Sequence, residues 1–204
     1  YKRQVFLNEW DFQMSLSLFL THIKGYKVHL EYVVPLNFLK KREYPFANKE
    51  NINIDIVIEK EGLFYLIELK YKTQRATIKF GRFGEINCVS LKDQSRVPMS
   101  KYDFWKDVAR LEFLKESFEK VKGGLCIFLT NNKTYKKEDK GISEEFTMKE
   151  KVKHRSGELK FKEGELKEKN PAFSLSKDYQ IEKWHELTNE ETKIAFHYCI
   201  VRVD

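Results

Sequence analysis

Two apolar runs, 51–60 (NINIDIVIEK) and 63–72 (LFYLIELKYK), meet across Glu61-Gly62. Each is rich in Ile, Val, Leu, Phe and Tyr, so each reads as a β-strand, and the Glu-Gly pair reads as the turn of a hairpin. A two-residue turn sets Lys60 against Leu63, and the same register sets Asp55 against Glu68 and Asn53 against Lys70. Side chains alternate along a strand. Asn53, Asp55, Glu68 and Lys70 therefore share one face with Val57, Phe64 and Leu66. Ile52, Ile54, Ile56, Ile58, Tyr65, Ile67 and Leu69 form the other. Carboxylates directly across a ladder repel by a few tenths to about 1 kcal/mol. A hairpin this apolar that keeps such a pair needs a compensating cation, and a divalent metal on oxygen ligands beside Lys70 is the direct candidate. The competing reading is a wet sheet face carrying ordinary polar residues. Against it, both faces are largely apolar, and buried carboxylates without partners are costly.

An Asp on one strand followed by Glu-x-Lys on the next, here Asp55 and Glu68-Leu69-Lys70, resembles the active site of the PD-(D/E)xK nuclease superfamily. The proline of that pattern is absent, since Ile54 precedes Asp55. The resemblance implies an α/β fold with a restriction-endonuclease-like core, a central mixed β-sheet flanked by helices in the order αβββαβ. It also implies phosphodiester hydrolysis. Asp55, Glu68 and the carbonyl of Leu69 would hold Mg²⁺, with Mn²⁺ as a substitute, and Lys70 would act on the attacking water or the phosphate. In many members a Glu on the helix before the sheet joins the metal, and Glu9 is the residue in that place. A helix-start Glu favoured by the dipole is the alternative for Glu9.

Charge placement agrees with a polyanionic substrate. The chain of 204 residues carries a net charge of +7. Between Lys70 and Lys101 eight Lys and Arg stand against Glu85 and Asp93, directly after the candidate catalytic strand. Lys72, Arg75, Arg82 and Arg96 are candidate phosphate contacts and Gln94 a candidate polar partner of substrate or metal water. A Lys-rich solubility surface is the alternative. The cysteines Cys88, Cys126 and Cys199 are too far apart for a CxxC or zinc pattern, so free thiols in a reducing cytoplasm are expected. No run of 18 apolar residues occurs, so no membrane span is expected, and Glu9 and Asp11 interrupt the N-terminal apolar run against a secretory signal.

Residues 5 to 24 read as a helix with Asn8 as N-cap, apolar at Phe12, Leu16, Phe19 and Ile23 and ended by Gly25. Residues 26–34 read as a strand and 36–50 as a polar loop. Residues 73–100 read as irregular, with short strands at 77–80 or 85–89. Residues 101–121 form the clearest helix, with Phe104, Val108, Leu111, Phe118 and Val121 buried and Gly123-Gly124 at its end. Asp103, Asp107 and Arg110 read as an ion network on its surface. A strand at 125–129 is expected parallel to the catalytic strand after the helical crossover, and 194–203 closes the sheet. Residues 133–170 are charge-dense and read as an insertion, a solvated excursion or a flap. A single domain over 1–204 is the simplest organisation. The expected function is a metal-dependent nuclease acting on nucleic acid, most simply DNA, with a homodimer as the candidate assembly. The alternative is a nucleic-acid-binding module of the same fold without catalysis.

Overall fold

The turn that fixes the central hairpin is Glu61-Gly62, both in the left-handed region at φ 53° and 73°. That conformation matches the twist of a two-residue hairpin and sets the register anticipated from the sequence. The computed structural model describes residues 6–39, 44–46, 51–94, 96–188 and 194–204, with backbone alone for Phe80 and Arg82. The chain is a mixed α/β protein. It runs α1 (Glu9–His22), β1 (Lys27–Pro35), β2 (Asn51–Lys60), β3 (Leu63–Lys72), β4 (Ala76–Arg82), β5 (Glu85–Leu91), α2 (Val97–Ser117) and β6 (Val121–Thr130). Short elements follow: β7 (Lys153–His154), β8 (Gly157–Leu159), α3 (Gly164–Lys169), β9 (Phe173–Leu175), β10 (Tyr179–Gln180) and β11 (His185–Thr188). The final strand is β12 (Ala195–Val203).

The central sheet has six strands in the order β1-β2-β3-β6-β12-β11. Among the described residues only β3 and β6 pair in parallel, joined through α2, and β12 lies antiparallel to β6. Among the described residues no helix is long and apolar enough to cross a membrane. The two long helices cover opposite faces. Phe12, Leu16 and Leu20 of α1 pack on Ile56, Ile67, Leu69 and Ile127. Phe104, Val108 and Leu111 of α2 pack with Val57, Leu66, Cys126 and Phe128.

Several elements differ from the sequence expectation. The first helix is shorter, because Asn8 caps it by accepting from the Asp11 N–H at 2.8 Å while Asp11 Oδ2 accepts from the Leu7 N–H at 3.0 Å. Phe19 and Ile23 are exposed, and the partly buried Leu20 takes the packed position. The second helix begins earlier, with Pro98 in its first turn, and stops at Ser117. Phe118 and Val121 therefore lie beyond it, and Leu114 is its last buried residue. Gly123 and Gly124 belong to β6 instead of ending a helix. A Cβ on Gly123 would meet the Val203 carbonyl oxygen at 2.5 Å, and one on Gly124 would meet both Leu111 and the Leu66 oxygen at 2.8 Å. Those glycines let α2 and β12 approach the sheet. Residues 76–91 form a regular antiparallel hairpin, β4–β5.

The charge-dense segment is not a solvated excursion. Tyr135, Phe146, Met148, Leu159, Phe161, Phe173 and Leu175 are buried in the same core as α2. Their spacing is irregular, so no periodic signal marked them, yet each charged stretch drops one large apolar anchor onto the helix. Glu112 of α2 ties the return to this core. It accepts from the Ser176 N–H (2.9 Å), the Ser176 hydroxyl (2.7 Å), the Lys177 N–H (3.1 Å) and the Tyr179 hydroxyl (2.9 Å). An amide at this position turns one acceptor into a donor among donors. Glu112→Gln is expected to cost about 2 kcal/mol in urea unfolding, and an unchanged midpoint would show these bonds to be dispensable.

Candidate active site at a fork in the sheet

The β2–β3 ladder runs from Lys60↔Leu63 to Ile56↔Ile67 and stops there. β3 continues straight, paired with β6 as far as Lys72. Beyond Ile67 the edge of β3 that faced β2 is taken over by carboxylates. The Leu69 N–H donates to Asp55 Oδ2 at 2.6 Å, and the Tyr71 N–H donates to Glu9 Oε2 at 2.7 Å. Glu9, at the start of α1, thus lies alongside the expected catalytic strand. In a strand the N–H and C=O of one residue point to the same edge, so the Leu69 carbonyl also faces this fork.

A local kink opens the fork. Glu31 of β1 has φ 48°, unusual for a residue with a side chain. It would stand across from Asp55, and the β1–β2 ladder skips this rung while keeping its register on both sides. Side-chain alternation reverses there on both strands. Leu30 and Ile56 belong to the α1 side, whereas Tyr32, Ile52 and Ile54 belong to the α2 side. The strict alternation expected along 52–58 therefore fails at Asp55, and Asn53 does not share the Glu68 face. Gln13 of α1 fills the gap. Its amide donates to the Asp55 carbonyl at 2.7 Å and to Glu31 Oε1 at 2.8 Å.

Glu68 and Lys70 point to the α2 side and meet two residues that the sequence had placed on a helix surface. Arg110 contacts Glu68 Oε2 at 2.7 Å and Asp107 Oδ1 at 2.7 Å, and Lys70 contacts Asp107 Oδ2 at 2.5 Å. Asp107 is buried, so this is an interior network and not a helix-surface one. The missed signal was the spacing: Asp103, Asp107 and Arg110 fall in one helical stripe, and α2 is covered on nearly every side. Tyr44 lies within hydrogen-bonding reach of Arg110.

Glu68 is 2% exposed, and its Oε1 is buried without a hydrogen-bond partner among the described residues. Burial holds its carboxyl well above the ordinary range, Arg110 pulls it down in part, and Asp107 and Asp55 push it further up. Burial likewise raises Asp55, against the Leu69 N–H and Lys70. Asp103 is raised by burial too, with Lys70, Lys106 and Lys72 opposing. Asp107 goes the other way: burial is outweighed by Arg110 and Lys70, which hold it low. For Lys70, burial is outweighed by Asp107 and Glu68, so its ammonium is held above its usual range. Five carboxylates, Glu9, Asp55, Glu68, Asp103 and Asp107, thus gather around Lys70 and Arg110, with Lys72 and Lys106 near Asp103.

No known protein family, curated protein or solved structure matches this chain. What the site can do rests on its own geometry. Among the described residues no three Asp, Glu, His or Cys side chains converge as ligands of one ion. The donor set nonetheless suits a hard cation that keeps much of its water, as Mg²⁺ does on one or two carboxylates plus substrate phosphate. Asp55, the orphaned Glu68 Oε1 and the Leu69 carbonyl are all oxygen donors. The cation nearest to Glu68 here is Arg110.

The remaining sequence candidates lie further out. Lys72 sits near Asp103 at the edge of the fork. Arg75 and Arg96 are exposed at the root of the β4–β5 hairpin and make no ion pair among the described residues. Gln94 is engaged in closing that root: its N–H donates to the Thr73 carbonyl at 2.7 Å and its Oε1 accepts from the Thr73 N–H at 3.3 Å. The Arg82 side chain lies outside the described residues.

Proposed function

We propose that this protein is a metal-dependent phosphodiesterase acting on nucleic acid, most simply DNA, with a restriction-endonuclease-like core. The observation that carries this reading is the fork itself. Glu9, Asp55, Glu68, Leu69 and Lys70 converge where a central strand loses its neighbour, and a buried carboxylate oxygen there lacks a partner. Structural ion pairs give no reason for the excess of carboxylates or for the kinked Glu31 rung, whereas strain and perturbed carboxyls are what reactive sites accumulate. The order helix, strand, hairpin, helix, parallel strand also agrees with such a core.

In this reading Asp55 and Glu68, with the Leu69 carbonyl, would hold Mg²⁺ or Mn²⁺, and Glu9 would complete the acidic rim. The bound ion supplies a water of lowered pKa and Lewis-acid stabilisation of the phosphate. Hydrolysis adds one water across an ester P–O bond, its hydroxyl going to phosphorus and its proton to the leaving oxygen. Lys70, held protonated by Asp107, suits stabilising the charge that builds on phosphate better than serving as a base. Asp107 and Arg110 position Lys70 and Glu68 from behind. Lys72 and the arginines of the hairpin root grip the backbone.

The test is cleavage of labelled DNA and RNA in Mg²⁺, in Mn²⁺ and in EDTA, with Asp55→Asn in parallel. Cleavage by the wild type alone, lost in EDTA, is expected. It should rise with pH, because Asp55 and Glu68 must ionise against raised carboxyl pKa values. Salt-sensitive binding without cleavage by either protein would leave the binding module as the surviving account.

A further inference from the structure

The β4–β5 hairpin carries an aromatic ring that the fold does not use. Seven residue pairs, from Ala76↔Leu91 to Arg82↔Glu85, carry it about 20 Å from its root. Phe83 at the tip is fully exposed, at 104%. Its backbone lies in the left-handed region at φ 53°, followed by Gly84 at φ 85°. Asn or Asp suits the first position of such a turn, and a bulky ring there is a strained choice that costs of order 1 kcal/mol. Ile86, paired with Gly81, is 78% exposed just behind it. The inner face of the hairpin is anchored: Ile78 and Leu91 pack on Tyr71, Leu129 and Phe196 at the end of the catalytic strand. Lys79 and Cys88 pair on the outer face. The segment 72–96 carries six basic residues against two acidic ones.

The geometry points to a stacking arm: Phe83 stacks on an unpaired base of a nucleic acid whose backbone runs to the basic root of the hairpin beside the fork. The inference rests on the phosphodiesterase reading and narrows its substrate to single-stranded or locally unpaired nucleic acid. An isolated exposed ring offers any base a π-face, and Lys79 on the arm with Lys72, Arg75, Lys92 and Arg96 at its root neutralises phosphates without selecting sequence. A second copy of this chain would bury the same ring, but the basic hairpin root on a chain of net charge +7 favours a polyanion over an equally basic twin.

The test uses binding in EDTA, so that it does not depend on catalysis. Affinities are measured by fluorescence anisotropy for a duplex, the same duplex with a short gap, and a single strand. Wild type is expected to prefer the gapped and single-stranded probes. Phe83→Ala should lose roughly 5- to 100-fold on those probes and little on the duplex. Phe83→Trp should keep the preference, with its fluorescence quenched on binding. Equal affinity of Phe83→Ala and wild type for every probe would overturn the stacking arm, even if the metal-dependent cleavage assay succeeds. Cys88 gives a second readout, because it is exposed while Cys126 and Cys199 are buried. A photo-crosslinker on Cys88 should capture the oligonucleotide. Capture of a second protein chain with no oligonucleotide would instead make the tip a dimer contact.

Discussion

Glu68→Gln is expected to abolish metal-dependent cleavage and yet, in EDTA at pH 8, to be at least as stable as the wild type. The sign follows from burial. The folded-state carboxyl is held well above its ordinary value of 4.5, so the folded chain binds that proton more tightly than the unfolded chain does. Stability from this group is full below the ordinary carboxyl range and is lost as pH rises toward the raised value. Glutamine mimics the protonated form, so its advantage is smallest near pH 4 and grows toward pH 8. Arg110 is not stranded by the change, because it keeps Asp107 at 2.7 Å. Urea unfolding at both pH values checks the trend. A variant less stable than wild type at pH 8 would mean that the Glu68–Arg110 pair outweighs the burial of Glu68. The second readout is added Mg²⁺. An ion held at 100 times its dissociation constant stabilises a protein by about 2.7 kcal/mol. That gain should appear in the wild type and vanish in Glu68→Gln.

Arg110→Ala is expected to be far more damaging to the fold. It removes the cation shared by Glu68 and Asp107, both buried, and leaves Lys70 alone among the surrounding carboxylates. Breaking a buried ion network from one side costs about 3–5 kcal/mol, because the partners stay behind uncompensated. Arg110→Lys restores the charge without the fork geometry and should recover part of the loss. Divalent ions should recover more: if Glu68 and Asp55 form a cation site, Mg²⁺ should raise the melting temperature of Arg110→Ala by more than it raises that of the wild type. A variant that melts like wild type, or that ignores Mg²⁺, would separate Arg110 from the site.

The site was readable in the sequence where its residues are fixed by local rules. The turn at Glu61-Gly62 sets the register by counting, so Asp55 and Glu68 come out as neighbours. Asn8 caps its helix through a bond three residues away, and that placement carries Glu9 toward β3. Arg110 was misread because a helix position is functional only through what covers it. Its partners beyond the helix are Glu68 of β3 and Tyr44, both far from it in the sequence. The reversal of faces at Asp55 was illegible for a similar reason. It depends on Gln13 arriving from a separate helix to satisfy a carbonyl in the strand. Gly123 and Gly124 read locally as a helix stop, since nearest-neighbour chemistry cannot see the Val203 carbonyl approaching from the far end of the chain.

The kink at Glu31 has a consequence away from chemistry. β1 is one edge of the six-stranded sheet, and a long regular edge is a template for pairing with other chains. The left-handed residue in mid-strand breaks the row of outward-facing amides into two short stretches, and Pro35 removes one more donor at the end. At the other edge, β11 is only four residues long. The distortion that opens the fork on the inside therefore also guards the sheet against aggregation from the outside, so a substitution that straightened β1 would be expected to trade solubility along with the site.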